Sequence, residues 1–248
     1  MNKLLIIVFI LTLSCSPREG EQKTGLLSYF FNISDTENAG VNDVVGFYGG
    51  YCEYSIGSSF NARKSDTKYF ELKISKSEGL AKYADNLGFV ANNVAYRFYR
   101  NLNKEERQEY THINPIIVLP ENTENKFEIS TWELEIVDQK MVFVDSIVNI
   151  IRQKKFDDLR PMLNDSSLVS YDKNELIENL KKYDSQFGNV TDEGFRIFGY
   201  SFRPLNDKGD DILFIVGVIM RDIQANEFTV AVNPYSEKKE ILLLRYEM

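Results

Sequence analysis

The sequence predicts an α+β protein: an antiparallel sheet carrying one long packed helix, in the order β-β-α-β-β, followed by three helices and a four-stranded antiparallel sheet. Three observations predict it. An apolar stripe at the helical period runs through residues 80–98, between segments that alternate apolar and polar. From residue 141 the period becomes three to four. Beyond Gly188 every segment reads as strand, with short turn-like connections such as residues 206–210.

In the first half, residues 26–43 begin apolar and become turn-rich. Residues 44–59, VVGFYGGYCEYSIGSS, alternate loosely around Gly46, Gly49 and Gly50, which predicts a bulged strand or hairpin. KYFELKISKS sets Tyr69, Glu71 and Lys73 against Phe70, Leu72 and Ile74, a half-buried strand. The long helix comes next, with Leu80, Tyr83, Ala84, Leu87, Ala91, Val94, Ala95 and Phe98 on one stripe and Ser77 as its cap. A short helix starts at Asn103, where Glu106 three residues on completes a capping-box pattern. THINPIIVLP reads as a strand ended by Pro120. NKFEISTWELEIV alternates as well, with a phase slip near Thr131.

In the second half, Val144, Ile147, Val148 and Ile151 predict a helix, continued by Phe156, Leu159 and Leu163 and bent or ended at Pro161. A third helix is capped by Asp172, with Glu175 three residues later. It turns Leu176, Leu180 and Tyr183 inward and stops at Gly188. The change of period places a domain boundary at residues 138–140, giving domains 41–137 and 141–248. The second has helices and strands enough to be expected to fold alone.

The N-terminus speaks about location. Lys3 precedes an apolar run over residues 4–13, which at ~1.5 Å per residue reaches about half of a hydrocarbon core. It is too short to span and fits a secretory signal. Leu13, Ser14 and Cys15 resemble the last three positions of a bacterial lipoprotein signal; Thr12 departs from it, standing where leucine is usual. The resemblance implies a signal over residues 1–14, lipid on Cys15, and a polar tether over residues 15–40. Ser16 after the cysteine implies the outer membrane rather than the inner.

Helices and meander together, in residues 141–248, resemble the nuclear-transport-factor-2-like cone fold. The matching features are SIVNIIRQKKFDDLRPMLND, KNELIENLKKY, Gly188 and the long strands after it. The resemblance implies a concave sheet face closed by helices, a common small-molecule site. Period two puts Arg196, Phe198, Tyr200 and Phe202 on one face of the first of these strands and Phe195, Ile197 and Gly199 on the other. Arg196, Tyr200 and Arg203 are the polar candidates for such a pocket.

Chemistry is sparsely signalled. A formal charge of -8 argues against nucleic-acid binding, which needs lysine and arginine to neutralise phosphates. One histidine, His112, and two cysteines make a zinc site or a nucleophile–base pair improbable. With Cys15 lipidated, Cys52 has no intrachain partner and reads as a small buried hydrophobe. Neighbouring carboxylates, Glu105 with Glu106, Asp157 with Asp158 and Asp210 with Asp211, diverge rather than converge. No phosphate loop or nucleophile elbow is present, and no cofactor or metal is expected. The sequence therefore reads as a non-catalytic envelope lipoprotein, anchored to the membrane through lipid and acting as a binding or protein-interaction module. The alternatives are an enzyme working in the cone pocket and a protective lipoprotein that binds a toxin or lytic enzyme.

Overall fold

The computed structural model describes residues 33–59, 67–81, 83–165, 172–204 and 211–247. It shows an α+β protein with one five-stranded and one four-stranded sheet. Helix α1 (Asp35–Tyr48) opens it, where the sequence predicted turns and then a bulged strand. The reason is local. Ser34 and Glu37 form a complete capping box, and Val41, Val44 and Tyr48 then bury one helical face. Gly49 and Gly50, at φ 68° and 83°, end the helix and turn the chain into β1 (Tyr51–Ser59). A Cβ on Gly50 would stand 2.6 Å from the Ser75 carbonyl oxygen, so the close approach also requires glycine.

β1 pairs antiparallel with β2 (Thr67–Ser75), as predicted. The predicted long helix is divided: a single turn, α2 (Glu78–Ala81), capped by Ser77, a 3-10 turn at Ala84–Asn86, and α3 (Leu87–Asn101). α4 (Lys104–Glu109) has the predicted Asn103–Glu106 capping box. β3 (His112–Val118) then lies parallel to β2, not antiparallel. The crossover through α3 and α4 makes this possible, since parallel neighbours need a long connection. β4 (Glu124–Lys126) and β5 (Ile129–Ser130) both pair with β3 and complete the sheet.

The predicted strand over residues 127–136 ends at Ser130. Ser130 is an N-cap, its hydroxyl accepting from the Glu133 amide at 3.1 Å, and α5 (Thr131–Arg152) begins. The phase slip near Thr131 is this junction. Leu134, Val137, Met141, Val144, Ile147, Val148 and Ile151 are its buried face. Residues 138–140, read as a boundary, therefore lie inside a 22-residue helix. Asp138 binds Tyr96 and Arg107 of the first half, and Lys140 donates to the Ser236 carbonyl of the second. One continuous set of buried hydrophobics runs from Val41 to Ile241.

A 3-10 segment (Phe156–Met162) and α6 (Lys173–Phe187) precede the predicted meander of β6 (Val190–Pro204), β7 (Asp211–Arg221), β8 (Asn226–Val232) and β9 (Leu243–Glu247). α6 is capped by Asp172 as expected, but it buries Ile177, Leu180, Asp184 and Phe187, leaving Tyr183 on the outside. The helix is turned by an ion pair: Asp184 meets Arg221 at 2.7 Å, with side chains 3% and 1% exposed. Arg221 also donates to the Asn226 side chain and the Gly188 carbonyl at 2.7 Å each, and to the Tyr246 hydroxyl. One guanidinium thus ties α6 to β7, β8 and β9. Among the described residues no helix is long and apolar enough to cross a membrane.

This packing makes two variants informative. Arg221→Ala leaves the buried Asp184 with only the Tyr246 hydroxyl at 3.0 Å and the half-exposed Lys154 at 4.0 Å, and should cost about 3–5 kcal/mol in urea unfolding. A loss under about 1 kcal/mol, the scale of exposed pairs, would show the clamp to be dispensable. A fragment of residues 141–248 cuts α5 in its middle and uncovers β6. It should show no cooperative thermal transition by circular dichroism; a sigmoidal melt would establish an independent second core.

Candidate functional site

α3 lies along β6, which is an edge strand of its sheet. Two α3 side chains bind β6 carbonyls: the Asn92 amide donates to Tyr200 at 3.0 Å and Arg97 to Ile197 at 3.3 Å. Between these two contacts β6 bulges. Ile197 opposes Gly217 and Gly199 opposes Val216, so Phe198 is an extra residue. A Cβ on Gly199 would stand 2.6 Å from the Phe89 ring of α3, so glycine lets the helix approach here.

The bulge separates the predicted pocket residues. Arg196 opposes Val218 and Tyr200 opposes Ile215, which places them on opposite faces rather than together. Tyr200 is fully buried, and burial holds its phenol well above its ordinary pKa. Its hydroxyl has no hydrogen-bond partner. Arg203 is exposed over the Phe214 ring, 5.1 Å from its centre, in a separate groove. Cys15 lies outside the described residues. Cys52 is buried on β1, its thiol pushed up to about 12 by burial, which removes the thiolate a nucleophile needs. His112 pairs with Glu128 at 3.2 Å on the sheet margin. Among the described residues no group of three histidine, cysteine or acidic side chains is placed to hold a metal ion.

Of the three candidates, Arg196 alone lines a cleft of about 610 Å³ between α1, α3 and β6. The cleft is built around Arg97, whose side chain is 7% exposed. Its guanidinium lies 3.6 Å from the centre of the Phe47 ring and donates to Asp43 at 2.8 Å. Burial lowers its pKa, and the Asp43 carboxylate works against that shift. Among the described residues the Arg97 side chain makes two hydrogen bonds, and its buried Nε has none. A guanidinium offers five N–H donors. Phe198 extends the aromatic wall, 6.0 Å from Phe47, so the bulge supplies a cleft residue. Arg100 is exposed at the rim, and Arg196 is held by Glu193 at 2.6 Å. Three guanidinium groups therefore face two carboxylates, in a protein of net charge -8. The lining contains neither histidine nor cysteine.

Sequence reasoning missed Arg97, Phe47 and Asp43. The available signal was VAYRFYRN, in which Arg97 stands directly between aromatic residues. No family model, curated protein or solved structure matches the chain.

Proposed function

We propose that the protein is a binding module of the bacterial cell envelope, held to the outer membrane by lipid on Cys15, whose cleft takes a small molecule bearing a carboxylate or phosphate. Arg97 carries this reading: a buried guanidinium, stacked on Phe47 and holding unused donors, at the wall of a cleft where two more arginines stand. Planar forks of this kind bind oxyanions bidentately, and the aromatic wall suits an apolar portion beside the charge. The volume lies within the ~300–1,000 Å³ of small-molecule sites. The apolar run before Cys15 and the polar tether after it support the anchor.

The helix-rich lead into a sequential four-stranded sheet supports a cone-like second half. Its inner strand positions are filled, with Ile215, Ile219, Phe228 and Val230 at 0% exposure. That favours the inter-sheet cleft over the concave face as the binding site, and a binding protein over the cone-pocket enzyme.

Two measurements test the proposal. Calorimetric titration of the soluble Cys15→Ser protein with succinate, citrate and a phosphate monoester should give saturable binding by one of them. Arg196→Ala, at the cleft rim, should weaken that binding by about 1.5–3 kcal/mol, the scale of a charged hydrogen bond, without moving the thermal midpoint. Equal affinity in both proteins would remove the cleft from consideration. In cells, Cys15→Ser should abolish acyl labelling and release the protein from the membrane fraction; membrane retention with no label on the unaltered protein would defeat the anchor.

A further inference from the structure

On the far side of α3 from the arginine cleft, a groove of about 620 Å³ runs between α4 and the first turns of α5. Tyr99 and Leu102, both buried, form its floor. Beside it stands Trp132, the one tryptophan of the chain, with 64% of its surface exposed. An exposed tryptophan has lost the burial that such a large apolar surface normally gains. Here the ring also has a neighbour. It stacks on Tyr235 with centres 6.1 Å apart and planes 23° apart, and the Tyr235 hydroxyl donates to Asp211 at 3.1 Å. Two adjacent exposed rings form an apolar contact surface beside the groove.

The polar rim decides what the ring would meet. Tyr99 donates to Glu135 at 2.6 Å, and Arg107 lies over the Tyr99 ring and binds Asp138 at 2.7 Å. This network fixes Glu135 and Arg107, and Glu135 remains about half exposed with acceptor capacity to spare. Lys104 and Gln108 line the groove and have no hydrogen-bond or ion-pair partner among the described residues. Donors and acceptors of both signs thus surround a flat apolar ring. Lys104 and Arg107 are balanced by Glu135 and Asp138, so neither a polyanion nor a quaternary ammonium meets the net charge it needs. A proline-rich peptide prefers a groove walled by aromatics rather than by charged and amide groups. A sugar ring satisfies both halves: an apolar C–H face for Trp132 and a rim of hydroxyls for Gln108, Lys104 and Glu135.

We propose that this groove binds a linear oligosaccharide, stacked on Trp132 and hydrogen-bonded along the rim. The proposal is independent of the arginine cleft. Because Trp132 is the sole tryptophan, its fluorescence reads the site directly. Titration of the Cys15→Ser protein with a β-1,4-linked N-acetylglucosamine tetramer, cellotetraose and maltotetraose should give a saturable emission change with at least one, and protect the ring from acrylamide quenching. For the sugar that binds, calorimetry should show affinity at least tenfold weaker in Trp132→Ala, partly recovered in Trp132→Phe, and unchanged in Arg196→Ala. The exposure of Trp132 predicts that both ring variants fold, which circular dichroism checks. No saturable change with any of the three sugars at millimolar concentration would overturn the proposal. So would undiminished binding by Trp132→Ala, or saturation by a proline-rich decapeptide or by choline in place of every sugar.

Discussion

The middle of α3 is buried on every side, and the architecture depends on the consequence: each polar side chain there must find a partner on a neighbouring element. Residues 93–99 are all buried, and they include Asn93, Tyr96, Arg97 and Tyr99. Asn93 donates to the Tyr48 hydroxyl at 2.7 Å and Arg97 to Asp43, both on α1. Tyr96 and Tyr99 donate to Asp138 and Glu135 of α5. Asn92 and Arg97 reach the carbonyls of β6. An unsatisfied buried donor or acceptor costs about 1–3 kcal/mol, so these bonds fix the helix against three elements at once. They also cover an open strand edge that could otherwise pair with another chain. The two sheets are joined through α3 and α5, and the buried polar residues of α3 fix how it sits between its neighbours.

The elements that were legible in the sequence are those whose signals are local. The Asn103–Glu106 and Asp172 caps, the β2 alternation and the meander turns needed no knowledge of the rest of the chain. α1 carried a signal of equal quality, Ser34 with Glu37, obscured by the glycines at 40 and 46. Gly40 has a packing reason, since a Cβ there would stand 2.8 Å from Phe98. At α5 the first residues, TWELEIV, satisfy both periods, and the helix is decided by the apolar stripe that Met141, Val144, Ile147, Val148 and Ile151 add to it. The parallel pairing of β2 with β3 belongs to topology and has no residue signature.

The candidate site was legible only in part, for a related reason. A period of two counts residues, and one bulge residue inverts every face beyond it. Arg196 was placed correctly relative to its near neighbours, but Tyr200 and Arg203 lie beyond Phe198, where the faces are exchanged. The outward turn of Tyr183 has the same character: Asp184, a carboxylate that a helical-period reading assigns to solvent, is drawn inward by a guanidinium distant in sequence.

Arg97 and Arg221 are buried arginines that differ in how fully their donors are used. Both are largely removed from water, both contact aromatic rings, and both pair with one carboxylate. Arg221 gives all three of its nitrogens to acceptors, and the Tyr246 hydroxyl that it meets also donates to Asp184 at 3.0 Å. Arg97 leaves its Nε unbonded. Asn93 Oδ1 and the Tyr200 hydroxyl, on the same helix and the strand beside it, are unsatisfied as well. Desolvating a cation is costly wherever it occurs, and a framework residue recovers that cost by saturating its donors. At the wall of the cleft the Arg97 Nη1 and Nη2 make one bond each, and these terminal nitrogens, not the buried Nε, are what the proposed oxyanion would use. The Arg221 clamp uses all three of its nitrogens and Arg97 does not, and the proposed site rests on that difference.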